Sequence, residues 1–165
     1  MIAFLTLPFM LQSLLIAIDE WYFHCKRGLP LWERIGHPLD TLSLIICLSI
    51  PIFLPLSKGN FILYLCLSVL SCLLVTKDEF VHKHHCPAAE NWLHALLFLN
   101  HPLLLTSAGL IWSVLSGSPL IFLVDCLPHA SFLYLFLAIQ CGLAIAFMLY
   151  QIIYWNFIWP KKAHT

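Results

Sequence analysis

Charge is what this sequence has least of. Only 10% of its 165 residues are Asp, Glu, Lys or Arg, against about a quarter in an ordinary soluble domain, and that scarcity excludes a water-soluble globular fold. Eight basic residues balance eight acidic ones, so there is no basic field to hold nucleic acid and no acidic tail for a basic partner. The seven cysteines are odd in number and lie mostly inside apolar runs, which gives no disulfide framework of the kind small secreted domains use. No Lys or Arg precedes the first apolar run, and Asp19-Glu20-Trp21 follows it in place of a small-residue cleavage site. A cleaved signal peptide is therefore not expected.

What the sequence has in quantity is hydrocarbon, with 61% of residues hydrophobic. A membrane-spanning helix needs roughly 20 mostly apolar residues to cross about 30 Å. Five runs approach that length, over residues 2–18, 39–56, 61–76, 92–115 and 131–159. The expected fold class is all-α, an integral membrane helical bundle of five transmembrane helices forming one membrane domain over 1–165. Residues 119–124 are apolar but too short to cross, and read as an interfacial or re-entrant piece. Five crossings put the termini on opposite sides. Lys26, Arg27, Arg34, Lys77, Lys83, Lys161 and Lys162 then share one side and Lys58 takes the other. That bias predicts the N-terminus outside and the cation-rich connections in the cytoplasm. Tyr150, Tyr154, Trp155 and Trp159 fit an aromatic belt on the same side.

The two cation-rich connections read alike. The first runs Asp19-Glu20-Trp21, then His24-Cys25, then Pro30-x-x-Glu33-x-x-x-His37; the second runs Asp78-Glu79-Phe80, then His82 and His85-Cys86, then Pro87-x-x-Glu90-x-x-x-His94. This duplication predicts two parallel helix-hairpin repeats, over 1–57 and 61–116, followed by a fifth helix over 131–159. Seven of the eight acidic residues and six of the nine histidines fall in or beside these connections, so the polar chemistry is focused on one face. Glu20 and His24, Glu33 and His37, and Glu90 and His94 are four apart, and Glu79 and His82 three apart. Residues at these separations share a helix face. A carboxylate and an imidazole are thus expected at the same end of each of four helices.

That pattern points to metal. Carboxylate oxygens with imidazole nitrogens suit iron, manganese or zinc, and four-helix di-iron carboxylate proteins hold two ions with Glu-x-x-His pairs and glutamates from neighbouring helices. The expected ligands of two metal ions are Glu20, His24, Glu33, His37, Glu79, His82, Glu90 and His94, with His85 as an alternative to His82. Asp19, Asp40 and Asp78 are placed to accept hydrogen bonds from the far nitrogens of ligand imidazoles. A single Glu or His at a helix end is more often a cap or a solvated residue, but independent capping does not require duplicated spacing.

The run His82-x-His84-His85, with histidines clustered at helix ends over residues 19–37 and 78–101, resembles the histidine boxes of the membrane di-iron oxygenases and desaturases. The mixing of Glu with His resembles the ferritin-like proteins instead. The resemblance implies two iron ions activating dioxygen to hydroxylate or desaturate a lipid-like substrate from the bilayer, with an electron-donor protein as partner. Zinc in the same ligands would instead activate water for lipid hydrolysis. A metal carrier or sensor needs no catalysis, and haem held by His94 or His101 is a fourth reading.

Four more residues are candidates for a pocket. His101 lies seven residues after His94 on one helical stripe, about 10 Å deeper by helix rise, where an ionisable group is costly and marks a cavity or a partner. Arg34 is suited to a lipid phosphate or an anionic substrate group. Gln151 and Tyr154 put polar groups near the end of the fifth helix, where they close the site or bind helices together.

Overall fold

The computed structural model describes residues 1–77 and 87–159, and no strand occurs among them. Five helices are long and apolar enough to cross a membrane. They are α1 (Ile2–Ile18), α2 (Leu31–Phe53), α3 (Lys58–Thr76), α4 (Ala88–Leu115) and α5 (Ala130–Ile153). Helix is the expected form for such sequence, because it satisfies every backbone polar group inside its own segment. The apolar runs mark the helix ends closely for α3 and α5, while α2 begins eight residues ahead of its run and α4 four residues ahead. In α2 the added turns carry both Glu33 and His37, and in α4 the added turn carries Glu90. Residues 119–124 lead into a 3₁₀ helix over Ile121–His129, which runs directly into α5.

The start of α2 and the start of α4 are built in the same way. Pro30 and Pro87 sit extended just before the first turn, with φ −65° in both. Their carbonyls accept the amides of Glu33 (3.1 Å) and Glu90 (3.0 Å). Proline cannot continue a helix backwards but presets the angle that starts one, and an acidic residue in the first turn faces the positive end of the helix dipole. The shared Pro-x-x-Glu spacing therefore makes two matching helix starts.

At the end of α1 the helix widens. Residues Asp19–His24 form a π-helical turn, followed by one α turn over Cys25–Arg27. A second π-helical turn, Tyr154–Ile158, ends α5. The path after Arg27 reverses at Gly28, whose φ of +76° suits glycine alone and where a Cβ would stand 3.2 Å from the Trp159 ring.

The middle of the bundle is α2 and α4. α2 packs against α3, α4 and α5, and α4 packs against α1, α2, α3 and α5. Leu48, Leu104, Ala108, Ile111, Trp112 and Leu137 form the buried core. α1 and α5 lie on the same side of these central helices and meet at two levels, Phe9 against Phe136 (rings 5.2 Å apart, edge to face) and Glu20 against Tyr150. Outward-facing Phe4, Leu73, Leu99, Leu135 and Leu143 are all more than half exposed.

Candidate metal centre

The π-helical turn decides which groups meet. In an α-helix Glu20 and His24 share a face and Asp19 points elsewhere. A wider turn brings residues four and five positions back under the same side chain, and both carboxylates reach His24. Glu20 Oε2 lies 3.1 Å from Nδ1, and Asp19 Oδ2 lies 3.2 Å from Nε2. An ionised carboxylate only accepts, so Nδ1 carries the hydrogen and donates to Glu20. The other oxygen of Glu20 accepts from Tyr150 (2.7 Å) and from the indole of Trp155 (2.8 Å). Glu20 is thus fully engaged as the group that fixes the ring of His24.

The remaining nitrogen of His24 faces acid. Nε2 is 3.2 Å from Asp19 and 3.8 Å from Glu90, and neither contact has hydrogen-bond alignment. His94 completes the group, its Nε2 3.3 Å from both oxygens of Asp19. Asp19, His24, Glu90 and His94 each offer one donor atom, all within 4.8 Å of one another and all buried. Bonds of about 2.1 Å to a tetrahedral ion place neighbouring donors roughly 3.4 Å apart, and three of the six separations in this group, 3.2, 3.3 and 3.8 Å, lie near that spacing. A second set shares His24 and adds Glu33 and His37. The rings of His24 and His37 are 5.1 Å apart.

Arg27 sits across the top of both sets. Its Nη1 and Nη2 donate to the two oxygens of Glu33, each at 2.9 Å, while Nη2 and Nε donate to Glu90 Oε1 at 2.6 and 3.2 Å. Glu33 and Glu90 are fully buried. Without a countercharge their ionised forms would be prohibitively costly there, and a planar guanidinium with several fixed donors serves two carboxylates at once. Among the described residues this one guanidinium stands against four buried carboxylates, those of Asp19, Glu20, Glu33 and Glu90.

Of the residues expected from sequence to bind metal, the structure brings together His24, Glu33, His37, Glu90 and His94. Glu79, His82 and His85, with Asp78, lie outside the described residues. Asp19 falls among the clustered donor atoms and Glu20 hydrogen-bonds the imidazole of His24, because the wide turn shifts the register by one residue. Asp40 accepts from Lys77 Nζ at 2.7 Å. Arg34 donates to the Leu29 carbonyl (2.7 Å) and so ties down the reversal after Gly28. Gln151 accepts from Thr41 (3.0 Å), and Tyr154 stacks on Tyr150 with centroids 5.2 Å apart.

His101 lies deeper, hydrogen-bonded through Nε2 to Ser71 (2.9 Å), which in turn meets Ser43 (2.7 Å). It forms part of the wall of a cavity of about 110 Å³ beneath the centre, together with Asp19, His37 and His94. Arg27 and Trp155 were not legible as parts of the centre. The signal for Arg27 was the Gly-x-Pro that follows it, a reversal that folds the guanidinium back over Glu33 six residues on. Comparison with protein families, with curated proteins and with solved structures returns no match to this chain, so its chemistry rests on the geometry above.

Proposed function

We propose that this chain is an integral membrane metalloenzyme that binds two metal ions, iron first, at its cytoplasmic face and oxidises a lipid-like substrate taken from the bilayer. One observation carries the reading. His24 gives its only neutral-state hydrogen to Glu20, and its lone pair then points at carboxylate oxygens of Asp19 and Glu90. A lone pair held against negative charge in a buried site is repulsive, and either a proton on Nε2 or a metal ion between the groups relieves it; the metal reading takes the second. A carboxylate behind the far nitrogen is the usual support of a metal-binding imidazole.

Asp19, His24, Glu90 and His94 supply four donors to one ion. His24 has a single nitrogen to give, so a second ion on Glu33 and His37 needs donors from the duplicated connection, where Glu79, His82 and His85 lie. The matching Pro30 and Pro87 helix starts support the repeat, and the seven-to-one cation bias supports the orientation with the N-terminus outside. Bound iron would supply dioxygen activation. The chain's own residues do the rest: Glu20 holds the tautomer of His24, Arg27 keeps Glu33 and Glu90 ionised, and Trp155, fully buried beside His24, keeps water away.

Elemental analysis of the purified protein tests the proposal, with about two ions per chain expected. Protein purified without any bound metal would overturn it. Mössbauer and optical spectra identify iron. The near-tetrahedral donor separations favour zinc as a second reading, in which the same residues serve a lipid hydrolase; a metal ion silent in both spectra would select it.

A further inference from the structure

α1 and α5 do not pack tightly along their length, and a slot of about 360 Å³ lies between them with α2 and α4 as its floor. Its volume falls in the range of small-molecule sites. The Phe9 and Phe136 rings close it at the deep end and the Glu20 to Tyr150 hydrogen bond at the other. The walls are apolar, with Ile16, Leu44, Leu143 and Phe147 among them. Two amides interrupt this lining. Gln140, 8% exposed, has no hydrogen bond among the described residues. Gln12 has its carbonyl oxygen occupied by Asn100 (2.9 Å) but keeps its amino group. By helix rise, Gln140 lies roughly 15 Å below Tyr150 and Gln12 roughly 12 Å below Glu20, so both amides sit at one depth on opposite walls.

An amide that faces an apolar slot without a protein partner gains free energy from a ligand that supplies one. We propose that the slot binds a single-chain neutral lipid whose uncharged oxygen, a hydroxyl or carbonyl, is held by Gln140 and Gln12. The chain then runs back toward Tyr150. An anionic head group is disfavoured by the lining: its charged member is Glu20, which repels one, and no cation lies among the lining residues to receive one. The slot shares Gln12, Ile16, Thr41 and Leu44 with the small cavity that reaches Asp19, His37 and His94. A bound chain therefore passes one side-chain layer from the metal centre. This specifies the substrate class of the proposed enzyme and rests on that reading for its purpose, though not for its binding.

Equilibrium binding of radiolabelled 1-dodecanol, dodecane and dodecanoate to the full chain in phosphatidylcholine nanodiscs, against empty nanodiscs, is the test, with metal content measured on the same samples. Dodecanol is expected to bind saturably at one per chain, with dodecane and dodecanoate each at least tenfold weaker. Gln140→Leu should weaken dodecanol about tenfold, the worth of a hydrogen bond or two, and leave dodecane and metal content unchanged. Ala144→Phe should block the slot to both. Equal affinity for dodecane and dodecanol, an unaffected Gln140→Leu, or a tightly held phospholipid that dodecanol does not displace would each overturn the proposal. Dodecanol binding by metal-free protein would overturn the metal centre alone.

Discussion

His24 and His101 are buried alike, 3% and 2% exposed, yet they live in opposite surroundings. Oxygens of Asp19, Glu20 and Glu90 approach His24 within 4 Å, whereas His101 meets the hydroxyl of Ser71 at 2.9 Å. Around His101 dipoles meet dipoles and no net charge is buried, so a neutral ring is at rest there. Around His24 negative charge has been taken out of water, at a cost that only nearby positive charge can offset. Arg27 provides part of it. The lesson is that burial alone does not mark a functional histidine in an apolar bundle. The identity of the oxygens around it does.

The contrast breaks most directly at His24 itself. His24→Ala removes the imidazole common to both donor sets, and bound metal should fall to background by elemental analysis. Retention of metal would mean that carboxylates and the other rings hold it unaided. Next in size is Arg27→Ala. Removing one partner of a buried ion pair costs about 3–5 kcal/mol, and the guanidinium's 25% exposure puts the expected loss near the lower figure. Unfolding of chelator-treated protein in detergent should show it. Added divalent metal should recover part of the loss, because a ligand that binds only the folded state stabilises it.

Much of the architecture could be read from residues alone. The apolar runs located five helices, and the Pro-x-x-Glu-x-x-x-His pattern located the ends of α2 and α4 because a proline start and a four-residue period are local facts. What could not be read was the shape of the turn after Ile18. A π-helical turn differs from an α turn by one residue of register, and nothing in Asp19-Glu20-Trp21-Tyr22-Phe23-His24 announces it. That register is what sets the duties of Asp19 and Glu20. Arg27 was hidden for another reason: its contact with Glu90 spans 63 residues, beyond the reach of any periodicity.

Glu20 gives the next, smaller effect. Glu20→Gln keeps a carbonyl for the Nδ1 hydrogen of His24 but removes the charge that makes the ring a better donor, and changes of this kind typically cost 10- to 100-fold in metal affinity. Competition with a chelator of known affinity measures it. If Glu20 were itself a ligand, the loss would approach that of His24→Ala, so the ratio of the two separates orientation from ligation. Tyr150→Phe, which removes one of the two donors to Glu20 Oε1, should fall below both.

His101→Leu is the smallest and the most discriminating. It removes one hydrogen bond inside an apolar bundle, worth about 0.6 kcal/mol in comparable membrane helices, and Ser71 keeps its contact with Ser43. Leucine fills similar space, so unfolding should shift little. Metal content should not change, since the ring's partner is a hydroxyl rather than a member of either donor set. Yet His101 shares the wall of the 110 Å³ cavity with Asp19, His37 and His94. If His101→Leu lowered metal content while stability held, the cavity would be an extension of the centre, and the division between a charged site and a neutral interior would have to be drawn about two helix turns deeper.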